Sequence, residues 1–447
     1  MVKFLALAAI ALCSRAAQDQ TTNGSILLQD VRLIDGTGGA PKDHVTILIK
    51  SGKIAQIFSG TGVTISEPDA QALNLSGKTV IPGLINGHGH VGLSQGTSVS
   101  SADYTRENIQ RQLAQYERYG ITTIISLGMN KDLLYQIRSE QGKGNLGGAT
   151  VLTADRGIGT PGGVPALDVA PDQLYRPATA EEARADVREM AQRSPNLIKI
   201  WVDDSLHKLH APNPAVYAAA IDEAHKQHLQ IAAHVYYLQD AKRLLQDGID
   251  IFAHSIRDQE VDPDTVSLIK RKKVYYIPTL QLEESFFVYA GHAAWMDTPF
   301  FKEALNPELA EVLSYPSYKA GVQRDKTTPV HRAALQTAMT NIARLREAGL
   351  TDLIAFGTDS GANPFRIQGF AEHRELQLMV QSGMTPMEAI HSATLVNAQM
   401  LHLSDKTGSI EVGKQADLIV LDADPSSDIA NTQKIEMVFH NGQQVKR

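Results

Sequence analysis

The sequence predicts an α/β protein: a (β/α)8 TIM barrel with a small β-sandwich domain built from both chain ends. Three observations carry that prediction. Eight apolar strand candidates, most followed by a helical period, alternate over about 320 residues. Short β-branched runs cut by glycine turns precede and follow them. Polar side chains able to hold a metal recur at the carboxyl ends of the strands, the face where such barrels carry their chemistry.

The chain has 447 residues, of which 43% are hydrophobic and 20% charged, so a large core can be buried. Its formal net charge is −7 and it has no basic run, which excludes a nucleic-acid footprint. A single cysteine, Cys13, excludes a disulfide framework and a thiolate metal site. Residues 1–17 read as an export signal: Lys3, an apolar run over 4–13, then small residues with cleavage after Ala16 or Ala17. That run is too short for a stable membrane anchor, so the expected product is periplasmic or secreted, without membrane insertion.

Residues 25–79 hold the strand runs ILLQDVRLIDG, HVTILIKSG and KIAQIFSG, and 408–447 hold GSIEVGKQ, ADLIVLD and KIEMVFHNGQQVKR. Each fragment is too small to bury a core alone, so the two are expected to pack together. The barrel then occupies 80–407. Its strands are expected at 83–90, 121–128, 149–155, 197–204, 229–235, 249–256, 273–280 and 353–361. Helices fit 105–119, 131–141, 180–192, 215–228, 238–246, 263–271, 329–348 and 368–381. A doubly wound open sheet competes, but no Gly-rich phosphate loop follows the first strand.

The strand ends supply one constellation. His88 and His90 stand two apart on the first strand, which points both imidazoles to one side. Lys199 interrupts the apolar fourth strand, His234 ends the fifth, His254 the sixth and Asp359 the eighth. Any one of these is a weak signal; five strands presenting such groups at one end is not. Imidazole and carboxylate are zinc-type ligands, and six groups exceed what one tetrahedral ion uses, so the count suggests two divalent metals. Beside two cations an ammonium would be repelled. A free Lys199 amine could instead add carbon dioxide and bridge them as a carbamate. The alternative is a lysine that reaches solvent or pairs with Asp203 or Asp204.

Together VIPGLINGHGH (80–90), LIKIWVDD (197–204), AAHVYY (232–237), FAHSI (252–256) and AFGTDSG (355–361) resemble the amidohydrolase superfamily. HSATLVNAQ (391–399) and GSIEVGKQADLIVLDADP (408–425) resemble its tail. The likeness runs through residues 25–447 and is nearest to the imidazolonepropionase-like, carboxylated-lysine group. That group includes prolidases, carboxypeptidase-like N-acyl-amino-acid hydrolases and ochratoxin-hydrolysing amidases. The resemblance implies His88, His90 and Asp359 on one metal, His234 and His254 on the other, and carboxylated Lys199 bridging them, with zinc as the default. It further implies a hydroxide between the metals as nucleophile, activated because coordination brings water's pKa to about 7. Asp359 would take the proton and return it to the leaving amine. Asn86 stands where the family often has aspartate, but the position is not an expected ligand, so the metal site is left intact. Val164 stands where some relatives carry a substrate-binding histidine, which puts their specificity in doubt.

Tyr236 follows His234 as H-x-Y, so its hydroxyl could reach the substrate carbonyl, unless its ring only packs the rim. Arg257 could pair with a substrate carboxylate, unless Asp258 or Glu260 claims it. His207 and His210 read as loop residues. The long stretch 281–328 carries Phe286, Phe287, Tyr289, Trp295, Phe300, Phe301, Tyr315 and Tyr318. It reads as a lid over an apolar side chain, or as helices packed on the barrel or on another subunit. The expected activity is hydrolysis of the amide bond in a dipeptide or N-acyl amino acid, by a homo-oligomer as is common in this family. Rival readings are a lactonase or ester hydrolase on the same site, a non-catalytic scaffold, and a deaminase, whose usual pattern lacks the bridging lysine.

Overall fold

The computed structural model describes residues 24–61 and 65–446. The export signal read at 1–17 lies outside them. The chain opens with β1 (Ile26–Leu33), β2 (Lys42–Lys50) and β3 (Lys53–Ser59) as an antiparallel meander. Ser51 and Gly52, both at positive φ, make the tight link between β2 and β3. β4 (Gln71–Asn74) and β5 (Thr79–Pro82) then run parallel to β1.

β5 passes through Gly83 straight into β6 (Leu84–Gly89). A Cβ at Gly83 would lie 2.4 Å from Thr122 Oγ1, so only glycine lets these segments approach. A small hairpin, β7 (Ser94–Gln95) and β8 (Ser98–Val99), leads to α1 (Arg106–Arg118). The alternation follows: β9 (Ile121–Ser126), α2 (Leu133–Gly142), β10 (Thr150–Thr153), α3 (Ala180–Gln192), β11 (Ile198–Val202) and α4 (Pro214–Lys226). Next come β12 (Ile231–Val235), α5 (Leu238–Asp247), β13 (Ile251–Phe252), α6 (Pro263–Lys272) and β14 (Tyr275–Tyr276).

The helices start where side chains cap them. Thr105 and Asp262 accept first-turn amides, and Thr179 forms a capping box with Glu182. Leu238, Ala241, Leu244 and Leu245 bury one face of α5 at the 3.6-residue period, and Gly248 ends it at φ 96°.

The strands pair in parallel as β10–β9–β6 and as β11–β12–β13–β14. Asn196 N donates to Thr153 O across the gap from β10 to β11 at 2.8 Å. The segment expected as the eighth strand forms no continuous ladder. A 3-10 turn occupies 351–353 and Asp359 takes φ 57°, so the extended stretch between bonds alternately to both sides. Ala355 N reaches Tyr276 O, Gly87 N reaches Phe356 O, and His90 N reaches Ser360 O. The fold is TIM-barrel-like.

The region 280–347 is helical: α7 (Leu280–Ser285), α8 (Pro299–Ala304), α9 (Pro307–Ser314), α10 (Pro316–Arg324) and α11 (Thr328–Glu347). Trp295, Phe300 and Phe301 pack inward against α12 (Phe370–Gln381). The rings of Phe301 and Trp295 stand 4.8 and 4.9 Å from that of Phe370, and Tyr289 and Phe301 are buried. Phe286 stays exposed at the site and Tyr315 faces solvent. The chain ends in β15 (Leu418–Leu421), β16 (Ile435–His440) and β17 (Gln443–Gln444). β15 pairs antiparallel with β5, so both chain ends enter one eight-stranded sheet with Val31, Val45, Val80, Leu418 and Phe439 in its core.

His440 fastens that sheet to α1 and β10. Its Nδ1 lies 2.6 Å from Glu117 Oε1 on α1 and its Nε2 3.1 Å from Thr150 Oγ1 on β10. Burial alone would lower the His440 pKa, but the Glu117 bond and the nearby carboxylates outweigh it and hold the imidazolium above its ordinary range. A raised folded-state pKa adds stability that is full below the ordinary imidazole value and fades as pH climbs through the folded one. Glu117→Gln is therefore expected to lower stability by about 1.5–3 kcal/mol at pH 6 and by much less at pH 9. Urea unfolding at both pH values measures it, and an equal loss at both would refute the charged pair.

Candidate metal centre

Six groups read from the sequence meet at one end of the parallel strands. His88 lies in β6 and His90 directly follows its last residue; both are buried, with their Nε2 atoms 3.1 and 3.0 Å from the same oxygen, Asp359 Oδ1. These three donor sets lie within 4.8 Å of one another. The His254 ring stands 4.5 Å from His88 and 4.4 Å from His234, so the imidazoles line up in the order His90, His88, His254, His234. Lys199 is fully buried on β11, one strand from His234.

Burial sets the protonation of the cluster. It brings His88 down to about 3, helped by Lys199, and keeps His254 and His234 below the ordinary imidazole range. It also brings the Lys199 amine down to about 7. Burial alone would raise Asp359, but Arg366 and the two imidazoles outweigh it and keep a carboxylate. The set thus holds neutral imidazoles at His88, His234 and His254, one carboxylate and an amine brought down to about 7. His88 Nδ1, His90 Nδ1 and Lys199 Nζ are buried without a hydrogen-bond partner. Unpaired nitrogens in a dry site are costly, and a divalent cation fits both the donor chemistry and the lone pairs. Lys199 neither reaches solvent nor pairs with Asp203 or Asp204. Asp203 Oδ2 instead lies 2.8 Å from His234 Nε2, and Asp204 holds His207 and Tyr237. Burial would raise Asp203, but His234 and Arg257 bring it to about 2.

Two buried glutamates on α12, unremarked in the sequence, hold these strand ends. Glu372 Oε1 accepts from Asn86 Nδ2, Thr358 Oγ1 and Ser360 Oγ at 2.6–2.7 Å, while Asn86 Oδ1 accepts the His88 amide. Asn86 thus ties the histidine strand to the Asp359 segment. Glu375 accepts the amides of Leu280 and Gln281, and burial pushes it up to about 8 against those donors. They fix the turn at Thr279, whose φ of 48° is strained for a β-branched residue and whose Oγ1 lies 2.8 Å from His254 Nδ1. Acidic residues three apart on the apolar side of a helix were the available signal.

A cavity of about 420 Å³ opens over the cluster. Its lining includes His90, His234, His254, Asp359, Tyr236, Val164, Leu167 and Phe286. Tyr236 is half-buried, its ring 4.7 Å from the Arg257 guanidinium, and burial raises its hydroxyl pKa. Arg257 does not pair with Asp258 or Glu260: Asp258 accepts the Leu238 amide and Glu260 meets Arg344. Its partner is Glu283 of α7, at 2.7 Å and 26 residues away in the chain. Among the lining residues, Arg366 and Asp203 were also missed. His207 and His210 do not line this cavity.

Residues 79–445 match the amidohydrolase family. Ochratoxinase of Aspergillus niger is 27% identical over 270 residues, covering 58% of this chain and 48% of that protein. The chain therefore spans about half the length of the curated relatives it matches. The crystal structure of that ochratoxinase superposes with a TM-score of 0.69 at 20% identity, over 95% of this chain and 96% of the other. A crystal structure of a Xaa-Pro dipeptidase with bound methionine in the active site gives 0.74 at 23% identity, over 95% and 100%. At these identities the structural likeness speaks to the fold.

Zinc added to chelator-stripped protein is expected to stabilise it by about 2.7 kcal/mol at a hundredfold excess over Kd. Asp359→Asn should remove most of that gain in a thermal-shift titration. An undiminished gain would take Asp359 out of the centre.

Proposed function

This chain belongs to the amidohydrolase family, and we propose that it hydrolyses the amide bond of dipeptides or N-acyl amino acids, ochratoxin-type amides included, with two divalent metal ions. The observation that carries the reading is Lys199, a fully buried amine with no hydrogen-bond partner, brought down to about 7 by burial and set among four histidines. An uncharged amine at that point can add carbon dioxide: the nitrogen lone pair forms the N–C bond, one proton leaves, and a carbamate anion remains. His88, His90 and Asp359 would hold one cation, His234 and His254 the other, and the Lys199 carbamate would bridge them. Bound cations, zinc by default, would polarise the scissile carbonyl and bring the pKa of an attacking water to about 7.

The chain's own groups do the rest. Asp359, ionised and facing the cavity, can take a proton from the attacking water and pass it to the departing amine. Tyr236 keeps its hydroxyl proton, because its pKa is raised, and can donate it as a hydrogen bond to the carbonyl oxygen. Val164, Leu167 and Phe286 offer an apolar wall for the substrate's side group.

The same reading takes the parallel strands as a closed (β/α)8 barrel over 80–407. It takes 25–79 with 408–447 as a composite β-sandwich, and the protein as an exported homo-oligomer. No helix among the described residues is long and apolar enough to cross a membrane.

The test is hydrolysis by zinc-loaded and chelator-stripped protein, read as amine release from N-acyl amino acids and dipeptides and as acid release from lactones. Zinc-dependent cleavage of the amides is expected, and turnover of lactones alone would replace the amidase by an ester hydrolase on the same donors. Lys199→Ala should lose most bound metal and roughly 100-fold or more in activity. Full retention of both would refute the bridging lysine.

A further inference from the structure

Arg366 closes the loop that begins at Asp359. Ala362 N donates to Asp359 O at 3.4 Å, Arg366 N to Asn363 O at 2.9 Å, and Gly361 N to Arg366 O at 3.1 Å. The folded loop returns the arginine to the wall of the same cavity as the aspartate, and Arg366 Nη1 donates to Asp359 Oδ2. That carboxylate is the only hydrogen-bond acceptor its guanidinium has among the described residues, and its Nε is buried without a partner. The Arg366 side chain is 11% exposed and lies 5.5 Å from the Phe286 ring centroid.

Arg257, the residue that the sequence marks for a substrate carboxylate, is placed differently. Its Nε is spent on Glu283, its Nη1 on the carbonyls of Val235 and Ser255, and its face on Tyr236. Its charge is matched by Glu283, which also meets His331 at 2.7 Å but belongs to no metal donor set. The carboxylate opposite Arg366 is shared: Asp359 Oδ1 faces His88 and His90. Any cation held there draws on the same negative charge, which leaves Arg366 as an under-matched, largely buried cation of the cavity, with donors to spare. A guanidinium with an open edge is suited to bind a second carboxylate through two parallel N–H bonds.

We propose that Arg366, and not Arg257, anchors the substrate's free carboxylate and so determines specificity. This rests on the amide-hydrolase reading above. Because Arg366 touches Asp359 directly, the anchored carboxylate sits within about one residue of the proton-accepting aspartate, given about 3.3–3.6 Å of chain per residue. The bond within reach is the amide on the nitrogen of the residue that carries that carboxylate. Phe286, beside the guanidinium, is the surface for that residue's side chain.

The experiment uses N-acetyl derivatives of phenylalanine, leucine, methionine and proline, each as free acid and as carboxamide, with zinc-loaded wild type, Arg366→Met, Arg366→Lys and Arg257→Met. Steady-state kinetics are paired with calorimetric binding of the product amino acids and with metal content. The wild type is expected to prefer the acids. Arg366→Met should raise KM for the acids by roughly 10–100-fold, with a smaller change for the carboxamides and a matching loss of product binding. Arg366→Lys should recover part of both. Loss of the preference in Arg257→Met with its survival in Arg366→Met would overturn the proposal, as would an Arg366→Met protein that loses zinc while keeping its preference. A wild type that cleaves acids and carboxamides equally would leave amide hydrolysis standing and remove the anchor. A wild type that cleaves none of them would remove both.

Discussion

Asp359 accepts His88 and His90 on one carboxylate oxygen and Arg366 on the other, at a point almost closed to solvent. A charge buried that deeply survives only with partners of opposite sign or strong donors around it. Much of the surrounding structure supplies that condition. His88, His234 and His254 stay neutral because they are buried, the Lys199 amine is brought down to about 7 for the same reason, and one arginine is drawn in from the loop that follows the aspartate. The arrangement is prepared for cations, since it gathers lone pairs that the protein itself leaves unmatched.

Holding such groups at the tips of strands needs scaffolding away from the cavity. Glu372 takes three side-chain donors and thereby joins β6 to the segment that replaces a regular eighth strand. Glu375 fixes the turn at Thr279, which orients His254. Both glutamates come from α12, and the aromatic cluster of the 280–347 region packs on that same helix. The region therefore reaches the site in two ways: Phe286 and Glu283 line it, and the inward-facing aromatics brace the helix that positions its donors.

The two chain ends act in a comparable way on the opposite side of β6. β5 lies between β1 and β15 and continues through Gly83 into the histidine strand, so the sheet fixes where that strand begins. His440 adds a charged tie from β16 to α1. Neither feature touches the cavity, yet both set the frame in which His88 and His90 are presented.

Much of this was legible in the sequence because it is written locally. The 180–192 helix has its expected bounds, and the other expected helices lie within a few residues of theirs, because period, caps and Pro or Gly stops act over one or two turns. His88 and His90 declared themselves by spacing, and Lys199, His234, His254 and Asp359 by ending or interrupting apolar runs. What the sequence did not determine was which buried group answers which. Arg257 passes over Asp258 and Glu260 for Glu283, 26 residues on, and Asn86 meets Glu372 across 286 residues. Arg366 lies only seven residues from Asp359, but their pairing depends on how the loop between them folds back. Local periodicity dictates elements. The partner of a buried charge is chosen by distance and desolvation, and these exist only once the strands have been brought together.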